Sequence, residues 1–414
     1  MGIIMQVNEP QVKKSSCAYC GNAPINHTLS FLESVVSITL DNQAKKIIKY
    51  VPFFVKDFAD LVPEFLFRTL VFSKLARFST DINKANTFRS KIIWEEAQKR
   101  GIIMEQVIFL NKPLDFYRAK INGKNIYFES IPIKPEFLDM SKNWDDKVIL
   151  KQEFNKYGIP VPAYFELSPF TFLHLFFNFK NTNKSTKKIF SELAKPIIVK
   201  PRVGSRGRHT ITNIHTWQQF QESMDVALQI CSYLVVEEHL EGSVCRATFV
   251  DGVLAGFYSG HAPTLIGDGK KTIRELIVDL DNKRQDRVEP ICISKELQGH
   301  ILRSGFAISD ILPVGIFLPL THRMGRLFGG QTEEMIDELH PSFVPILKEA
   351  TRIVGLSVVG FDCIIPDPRK DEASQKWGII ECNSLPFIDL HYYALRGKPR
   401  NIAGMIWDLW QEEK

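Results

Sequence analysis

The chain has 414 residues, of which 44% are hydrophobic and 24% charged, and its formal net charge is +5 at pH 7. This composition is that of a globular protein with room for two or three domains, and the mild charge argues against nucleic acid as a partner. No run approaches the ~18 apolar residues that a membrane span needs. Seven scattered cysteines, without a secretory signal, predict a cytoplasmic protein that lacks a disulfide framework.

The first part of the chain divides into two predicted regions. Residues 1–87 are expected to be a partly helical N-terminal extension, because apolar positions between 47 and 78 fit amphipathic helices that two prolines interrupt. Residues 88–143 are expected to be a small α/β domain that begins with a helix ended by Gly101. The Asn122-Gly123 pair between two apolar runs predicts a hairpin in that domain.

Cys17 and Cys20 form a CxxC pair with His27 nearby, which is half of a zinc-binding pattern. No second CxxC or histidine pair follows at a suitable spacing, so four ligands cannot be completed locally. The sequence therefore favours unligated thiols in a loop, and it leaves metal binding at this pair open.

Residues 144–414 are predicted to be one larger module. After a helix over 148–157, the run 196–201 is a strand that ends in Lys200 and Pro201, and a basic loop with two glycines follows over 202–208. Such a loop could cover phosphates, because glycines free the backbone N–H groups and cations offset negative charge. On its own it is weak evidence, since many hairpins contain glycine and arginine without a ligand.

Further strands are predicted downstream. The run 233–242 is a strand into Glu237 and Glu238, whose end could present backbone groups to an adenine edge. Asp251-Gly252 predicts a hairpin turn. Residues 301–320 are expected to form short strands, and residues 340–354 a helix.

The most informative stretch lies near the C-terminus, where apolar runs over 357–366 and 377–386 flank a polar turn. They predict a hairpin, and a register centred on the turn would bring Asp362 beside Glu381 and Asn383 on one face. Two carboxylates and an amide oxygen are ligands that suit Mg²⁺. The alternative is a hairpin with ordinary solvent-facing polar residues.

In their order and spacing, these pieces resemble the ATP-grasp superfamily, in particular the ATP-grasp domain of cyanophycin synthetases and of bifunctional glutathione synthetases. The resemblance covers about residues 144–410, roughly two thirds of the chain. The matching pieces are Asp146-Lys147, Gly158–Pro162, Val199–Pro201, Val236–Gly242, Arg246, Gly267–Ile273, Gly329-Gly330, Asp337-Glu338, His340-Pro341, Gly360–Asp362, Glu381–Asn383 and Lys398–Asn401.

The resemblance implies an α+β or α/β chain with an ATP-grasp fold, in which two α+β subdomains grip ATP, after a small pre-ATP-grasp-like domain. It also implies roles for individual residues. Lys147 and Lys200 would contact phosphates, with Lys200 and Arg246 acting in catalysis. Mg²⁺, commonly two ions and with Mn²⁺ as an alternative, would bind at the hairpin. The implied positions are, for the phosphate loop, Gly204, Ser205, Arg206 and Gly207; for the adenine hinge, Glu237, Glu238, His239 and Leu240; for the metal, Asp362, Glu381 and Asn383.

Several features depart from the superfamily's pattern, including the Gly325–Phe328 stretch before Gly329-Gly330 and Phe387, where a glycine is usual. Val244 stands where an acidic residue often contacts the ribose, and His209 replaces a usual glycine in the phosphate loop. The C-terminal peptide-ligase module of cyanophycin synthetases is not found before Lys414, nor is the glutamate–cysteine ligase half of the bifunctional glutathione synthetases. Polymer synthesis is therefore not expected.

The implied function is an ATP-dependent carboxylate–amine ligase that forms an amide or peptide bond through an acylphosphate, on amino-acid or peptide-like substrates. Its partners would be small-molecule carboxylates and amines, with neither nucleic acid nor membrane, and with homo-oligomerisation left open. One alternative is an ATP-binding regulatory module with little or no turnover. A weaker alternative is a phosphotransferase that releases a phosphorylated product.

Overall fold

The three-dimensional structure of the protein is a computed structural model, which describes residues 17–20, 24–47, 69–134, 143–167 and 183–411. The apolar run 170–179 and most of the predicted helices between positions 47 and 78 lie outside these residues. Within the described part of the chain, no helix is long and apolar enough to cross a membrane.

Strands in the described residues carry the sheets of the molecule. They are β1 (Ala76–Ser79), β2 (Ile103–Phe109), β3 (Lys112–Ile121), β4 (Lys124–Glu129), β5 (Tyr164–Leu167), β6 (Ile197–Pro201), β7 (Ile211–Ile214), β8 (Leu234–Glu238), β9 (Ser243–Val250), β10 (Val253–His261), β11 (Thr264–Ile266), β12 (Phe317–Pro319), β13 (Gln331–Glu334), β14 (Val358–Ile365) and β15 (Gly378–Asn383).

Helices flank these strands. They are α1 (His27–Ile47), α2 (Phe88–Lys99), α3 (Lys147–Lys156), α4 (Asn183–Glu192), α5 (Trp217–Ala227), α6 (Ile273–Asn282), α7 (Lys295–Arg303), α8 (Phe343–Val354), α9 (Asp389–Tyr392) and α10 (Ile402–Gln411).

The strands form four antiparallel sheets. An N-terminal sheet has the order β1-β2-β3-β4, and a second four-stranded sheet has the order β5-β8-β6-β7. The largest sheet has five strands in the order β13-β10-β9-β14-β15, and β11 pairs with β12 alone. This mixture of antiparallel sheets and flanking helices is the α+β architecture that the sequence predicts.

The two faces of the five-stranded sheet have different neighbours. Side chains at alternate positions, such as Phe249 and Phe361, pack under α3 and α8 in one core. On the opposite face, Val250 and Val358 join a core with the N-terminal sheet, α2 and α10. Further along that same face lie Arg246 and Asp362, which are four residues away from these valines on their strands. The core therefore covers one end of the face, and the polar residues lie at the other end.

Several predicted elements are confirmed, and one is wrong. The hairpins at Asn122-Gly123 and Asp251-Gly252 form, with both residues of each turn at positive φ, as a type I′ turn requires. The predicted short strands over 301–320 are wrong in their first part, because Ile301 lies in α7 and its buried side chain belongs to a helix-lined core. A short apolar run of this kind does not distinguish a strand from a buried helix face.

Candidate active site

The predicted C-terminal hairpin forms, and its register pairs Asp362 with Glu381 and Gly360 with Asn383. Paired residues in an antiparallel ladder project to the same face, and Asn383 follows Glu381 by two positions. On the other side of β14, Asp362 pairs with Arg246 of β9. The strands therefore place two carboxylates, one amide and one guanidinium together at the open end of the sheet.

Both carboxylates of this group are paired with cations. Arg246 donates to Asp362 through Nε and one terminal nitrogen, each at 2.6 Å, in a bidentate ion pair. Glu381 Oε1 lies 2.7 Å from Lys147 Nζ. Burial alone would raise the pKa of Glu381, but Lys147 and Lys200 outweigh it and hold the pKa below its usual value. Burial lowers the pKa of Arg246, yet Asp362 more than compensates and raises it.

A second charged group lies on the facing sheet, centred on Glu237 at the end of β8. This carboxylate, whose side chain is 1% exposed, is 3.0 Å from Lys200 Nζ and 3.0 Å from Lys151 Nζ. Although burial raises its pKa, the two lysines lower it below the usual glutamate value. A buried carboxylate is stable only with such partners, so the ion pair with Glu237 holds Lys200 near the C-terminal end of β6.

Lys151 connects the two sheets, and sequence reasoning missed it. Its fully buried Nζ reaches Glu237 of β8 and also donates to the carbonyl of Ile380 in β15, at 2.9 Å. Burial lowers its pKa to about 8 despite the neighbouring Glu237. In the sequence, Lys151 is only a lysine one helical turn after Lys147. Nothing in that spacing distinguishes a buried lysine from one that faces solvent.

The predicted phosphate loop lies between β6 and β7. Gly204 has φ +124°, a conformation that side-chain-bearing residues rarely adopt, and its carbonyl accepts a hydrogen bond from Lys147 at 2.9 Å. The guanidinium of Arg206 lies 5.6 Å from the ring centroid of Phe387, a residue that follows β15. The loop therefore contacts elements on both sides of the site.

The predicted adenine hinge follows β8, but the glutamate side chains there have other partners. Glu238 accepts from the backbone of Ala163 at 2.9 Å and pairs with Lys376, while Glu237 pairs with the two lysines. His239 donates its backbone N–H to Pro196 at 3.2 Å. The two glutamate side chains are therefore engaged elsewhere, whereas the His239 ring, whose Nδ1 has no hydrogen-bond partner among the described residues, and the buried Leu240 side chain both line the cleft.

Between the two sheets lies a cleft with a volume of about 330 Å³. Every site residue predicted from the sequence contributes to its lining: Lys147, Lys200, Gly204, Ser205, Arg206, Gly207, Glu237, Glu238, His239, Leu240, Arg246, Asp362, Glu381 and Asn383. Val244 lines it as well. The roles of these residues stay predictions, but residues separated by more than 200 positions do meet in one cleft.

A further charged pair lines the cleft and was also missed. Arg326 donates to Asp389 Oδ2 at 2.8 Å, and both side chains are buried. The other oxygen, Oδ1, is buried without a hydrogen-bond partner among the described residues. Burial raises the pKa of Asp389 although Arg326 lowers it. Arg326 lies just before the Gly329-Gly330 piece of the resemblance, but Asp389 lies in none of its pieces, so only the fold could pair the two residues.

The hairpin donors fit a divalent cation. Asp362, Glu381 and Asn383 offer hard oxygen ligands on neighbouring strands, and the side chain of Glu381 is still 22% exposed toward the cleft. The same two carboxylates pair with Arg246 and Lys147, so a bound cation would compete with these ion pairs.

Comparison with known proteins gives matches to two groups of ligases, while no family model matches the chain. The chain is 27% identical over 220 residues to a cyanophycin synthetase of Trichormus variabilis, covering 52% of this chain and 24% of that protein. It is 24% identical over 271 residues to a bifunctional glutathione biosynthesis protein of Streptococcus mutans, covering 63% of this chain and 34% of that protein. The chain thus spans about a quarter to a third of the length of these curated relatives.

One solved structure supports the fold. A bifunctional glutathione synthetase from Pasteurella multocida superposes with a TM-score of 0.51 at 18% identity, covering 80% of this chain and 44% of that chain. At this identity, the likeness concerns the fold. It extends beyond the region of the sequence matches and includes most of the described residues.

Proposed function

We propose that the chain is an ATP-grasp ligase, which uses ATP to join a carboxylate to an amine through an acylphosphate; its similarity to two groups of ligases and its fold support this. The observation that carries the proposal is that cations and carboxylates form ion pairs in the cleft. Lys147 and Arg246, the cations predicted to meet phosphate oxygens, are each held against a carboxylate predicted to bind metal. Lys200 faces them from the other sheet, so a nucleotide between the sheets would meet cations on both sides.

Two steps would complete the reaction. In the first, a substrate carboxylate oxygen attacks the γ-phosphorus of ATP, the bond to the β-phosphate bridging oxygen breaks, and ADP leaves. In the second, an amine attacks the acyl carbon, the bond to the phosphate oxygen breaks, and inorganic phosphate leaves as the nitrogen loses a proton. Neither step needs a protein nucleophile, and phosphoryl transfer depends mainly on positioning and charge neutralisation.

Lys147 and Arg246 would neutralise phosphate charge by leaving their carboxylate partners. With ATP bound, Lys147 would shift its interaction from Glu381 toward phosphate oxygens, and Arg246 from Asp362 toward the transferred group. The freed carboxylates and Asn383 would hold Mg²⁺, which would offset the negative charge of the nucleotide phosphates. Lys200 would keep its position, because Glu237 is also paired with Lys151.

The loop over 204–208 would exclude water from the labile acylphosphate. Its contact with Phe387 through Arg206, and the presence of both residues in the cleft lining, support this role. The Arg326–Asp389 pair, which also lines the cleft, offers a guanidinium for a substrate carboxylate, and the Asp389 oxygen without a partner among the described residues could accept from a substrate ammonium. These groups support amino-acid or peptide-like substrates, with an amide as the product.

The test is a phosphate-release screen of the protein with MgATP against paired amino acids and short peptides, with products identified by mass spectrometry. We expect phosphate release that depends on both an acid and an amine, together with an amide product. Glu381→Gln should be severely impaired, and Glu349→Gln, at a solvent-accessible position on α8 outside the cleft, should match the wild type.

Two other outcomes would replace the proposal. ATP binding without phosphate release for any pair would favour a nucleotide-binding regulatory module. A phosphorylated product that persists when the amine is present would favour a phosphotransferase.

A further inference from the structure

The CxxC pair of the N-terminal extension does not stand alone in the folded chain. Cys17, Cys20 and His27 meet His209, which lies immediately after the phosphate loop and almost two hundred positions away in sequence. One ligand atom from each of the four residues lies within 4.8 Å of all the others. No local sequence motif marks this fourth residue, because the fold brings it to the cysteines.

The distances within this cluster match those of a tetrahedral site. His209 Nε2 is 3.5 Å from Cys17 Sγ and 3.5 Å from Cys20 Sγ, and His27 Nε2 is 3.2 Å from Cys20 Sγ. In a tetrahedral zinc site with Zn–S of about 2.3 Å and Zn–N of about 2.0 Å, sulfur and nitrogen ligands lie roughly 3.5 Å apart. The four atoms are therefore spaced as if around a common centre.

The surroundings orient His209 as metal-binding histidines require. Its ring is fully buried, and Nδ1 lies 2.7 Å from the carbonyl of Val226, which can only accept a hydrogen bond. Nδ1 must therefore carry the proton, and in the neutral ring Nε2 directs its lone pair toward the two sulfurs. A backbone carbonyl behind the ring is the usual partner that fixes a ligating histidine.

We propose that Cys17, Cys20, His27 and His209 bind one structural zinc ion that fastens the N-terminal extension to the end of the phosphate loop. Two thiolates and two imidazoles form a closed four-ligand set with no position for a substrate, which is typical of structural rather than catalytic zinc. Two thiolates would also balance the charge of the ion.

Hydrogen bonds connect this cluster to a residue that lines the cleft. Between the two cysteines, the carbonyl of Tyr19 accepts from the backbone N–H of His209 at 3.2 Å and from Arg323 at 2.6 Å. Arg323 lines the cleft beside the loop, close to Gly207. Zinc binding would therefore fix both His209 and Arg323, and with them the C-terminal end of the phosphate loop.

The test measures metal content in the full-length protein, purified without chelators and under reducing conditions. We expect about one zinc per chain in the wild type. Cys20→Ser and His209→Gln should lose it, and Cys292→Ser, which removes an exposed cysteine outside the cluster, should keep it. A reduced, folded wild-type protein that binds no zinc, or a Cys20→Ser variant that retains it, would overturn the proposal.

A second measurement does not rely on variants that could fail to fold. Wild-type protein in which Co²⁺ replaces zinc should show the strong visible absorption of tetrahedral cobalt and a thiolate-to-metal charge-transfer band. Weak octahedral absorption, or a Cys17–Cys20 disulfide in protein kept under thiol, would also overturn it. Both readouts are independent of ligase turnover, so failure of the proposed function would leave them unchanged.

Discussion

Individual side chains of the cleft are held by reciprocal charges. Asp362 pairs with Arg246, Glu381 with Lys147, and Glu237 with two lysines. Removing one partner of a buried pair leaves the other without compensation, which is costly. Variants that keep shape and lose only charge are therefore the sharpest probes of what these groups do.

Asp362→Asn and Glu381→Gln should each lower ATP turnover by about 10²–10³-fold, because a lost electrostatic contact at a reacting phosphate typically has that effect. Both amides keep a hydrogen-bonding oxygen, so the circular dichroism spectrum should be unchanged. Turnover within a few fold of the wild type in either variant, measured at saturating Mg²⁺, would remove the metal-site assignment.

Lys151 should give stability a particular pH dependence. Its pKa is about 8 in the folded state, whereas a lysine in an unfolded chain titrates near 10.4. Between these values the unfolded state binds more protons, so this group makes stability rise with pH. Relative to Lys151→Met, the wild type should gain on the order of 2–3 kcal/mol between about pH 8 and about pH 10.4.

Urea unfolding at several pH values would measure this difference. Lys156→Met, which removes an exposed lysine on the same helix, is the matched control and should show a pH-independent difference from the wild type. A constant difference for Lys151→Met as well would mean that Lys151 titrates normally.

At the scale of elements, the turn after β8 joins the two sheets that enclose the cleft. Gly242 has φ +127°, and a Cβ there would lie 2.4 Å from the backbone of Ile365 at the end of β14. Gly252 also has a positive φ, +69°, but a Cβ there would have no heavy atom within 4 Å. Comparing the two positions separates a backbone preference from a steric clash.

Gly252→Ala should cost about 1–2 kcal/mol in the free energy of unfolding, the usual penalty for a left-handed residue. Gly242→Ala should cost clearly more, because β14 must move to relieve the clash. Denaturant unfolding of both variants measures the two costs. Equal costs would show that the turn and β14 are not tightly packed.

How much the sequence could predict depended on whether an element carries a local signal. The C-terminal hairpin was predictable because its polar residues interrupt two apolar runs at positions that a two-residue period aligns, and the register of Asp362 with Glu381 follows. The helix α7 was not predictable, because a short apolar run fits both a strand and a buried helix. Contacts between distant residues, such as Lys151 with Glu237 or Cys17 with His209, had no local signal.

At the scale of the molecule, the N-terminal sheet and the five-stranded sheet share one core, which covers one end of a face and leaves the other end for the cleft. The sheet that carries Lys200 and Glu237 has a core of its own. Charged contacts such as that of Lys151 therefore link separately packed units across the cleft. This arrangement suits a nucleotide site that closes between two bodies.

The proposed transfer of phosphate from ATP to a substrate carboxylate can be tested directly with isotopes. A substrate acid identified by the screen would be labelled with ¹⁸O in its carboxylate and turned over with MgATP and the amine. Transfer of ¹⁸O from the acid to the released phosphate, with an amide as the second product, is the predicted result. Phosphate that carries no ¹⁸O while amide accumulates would contradict attack of the carboxylate on ATP, and with it the proposed acylphosphate.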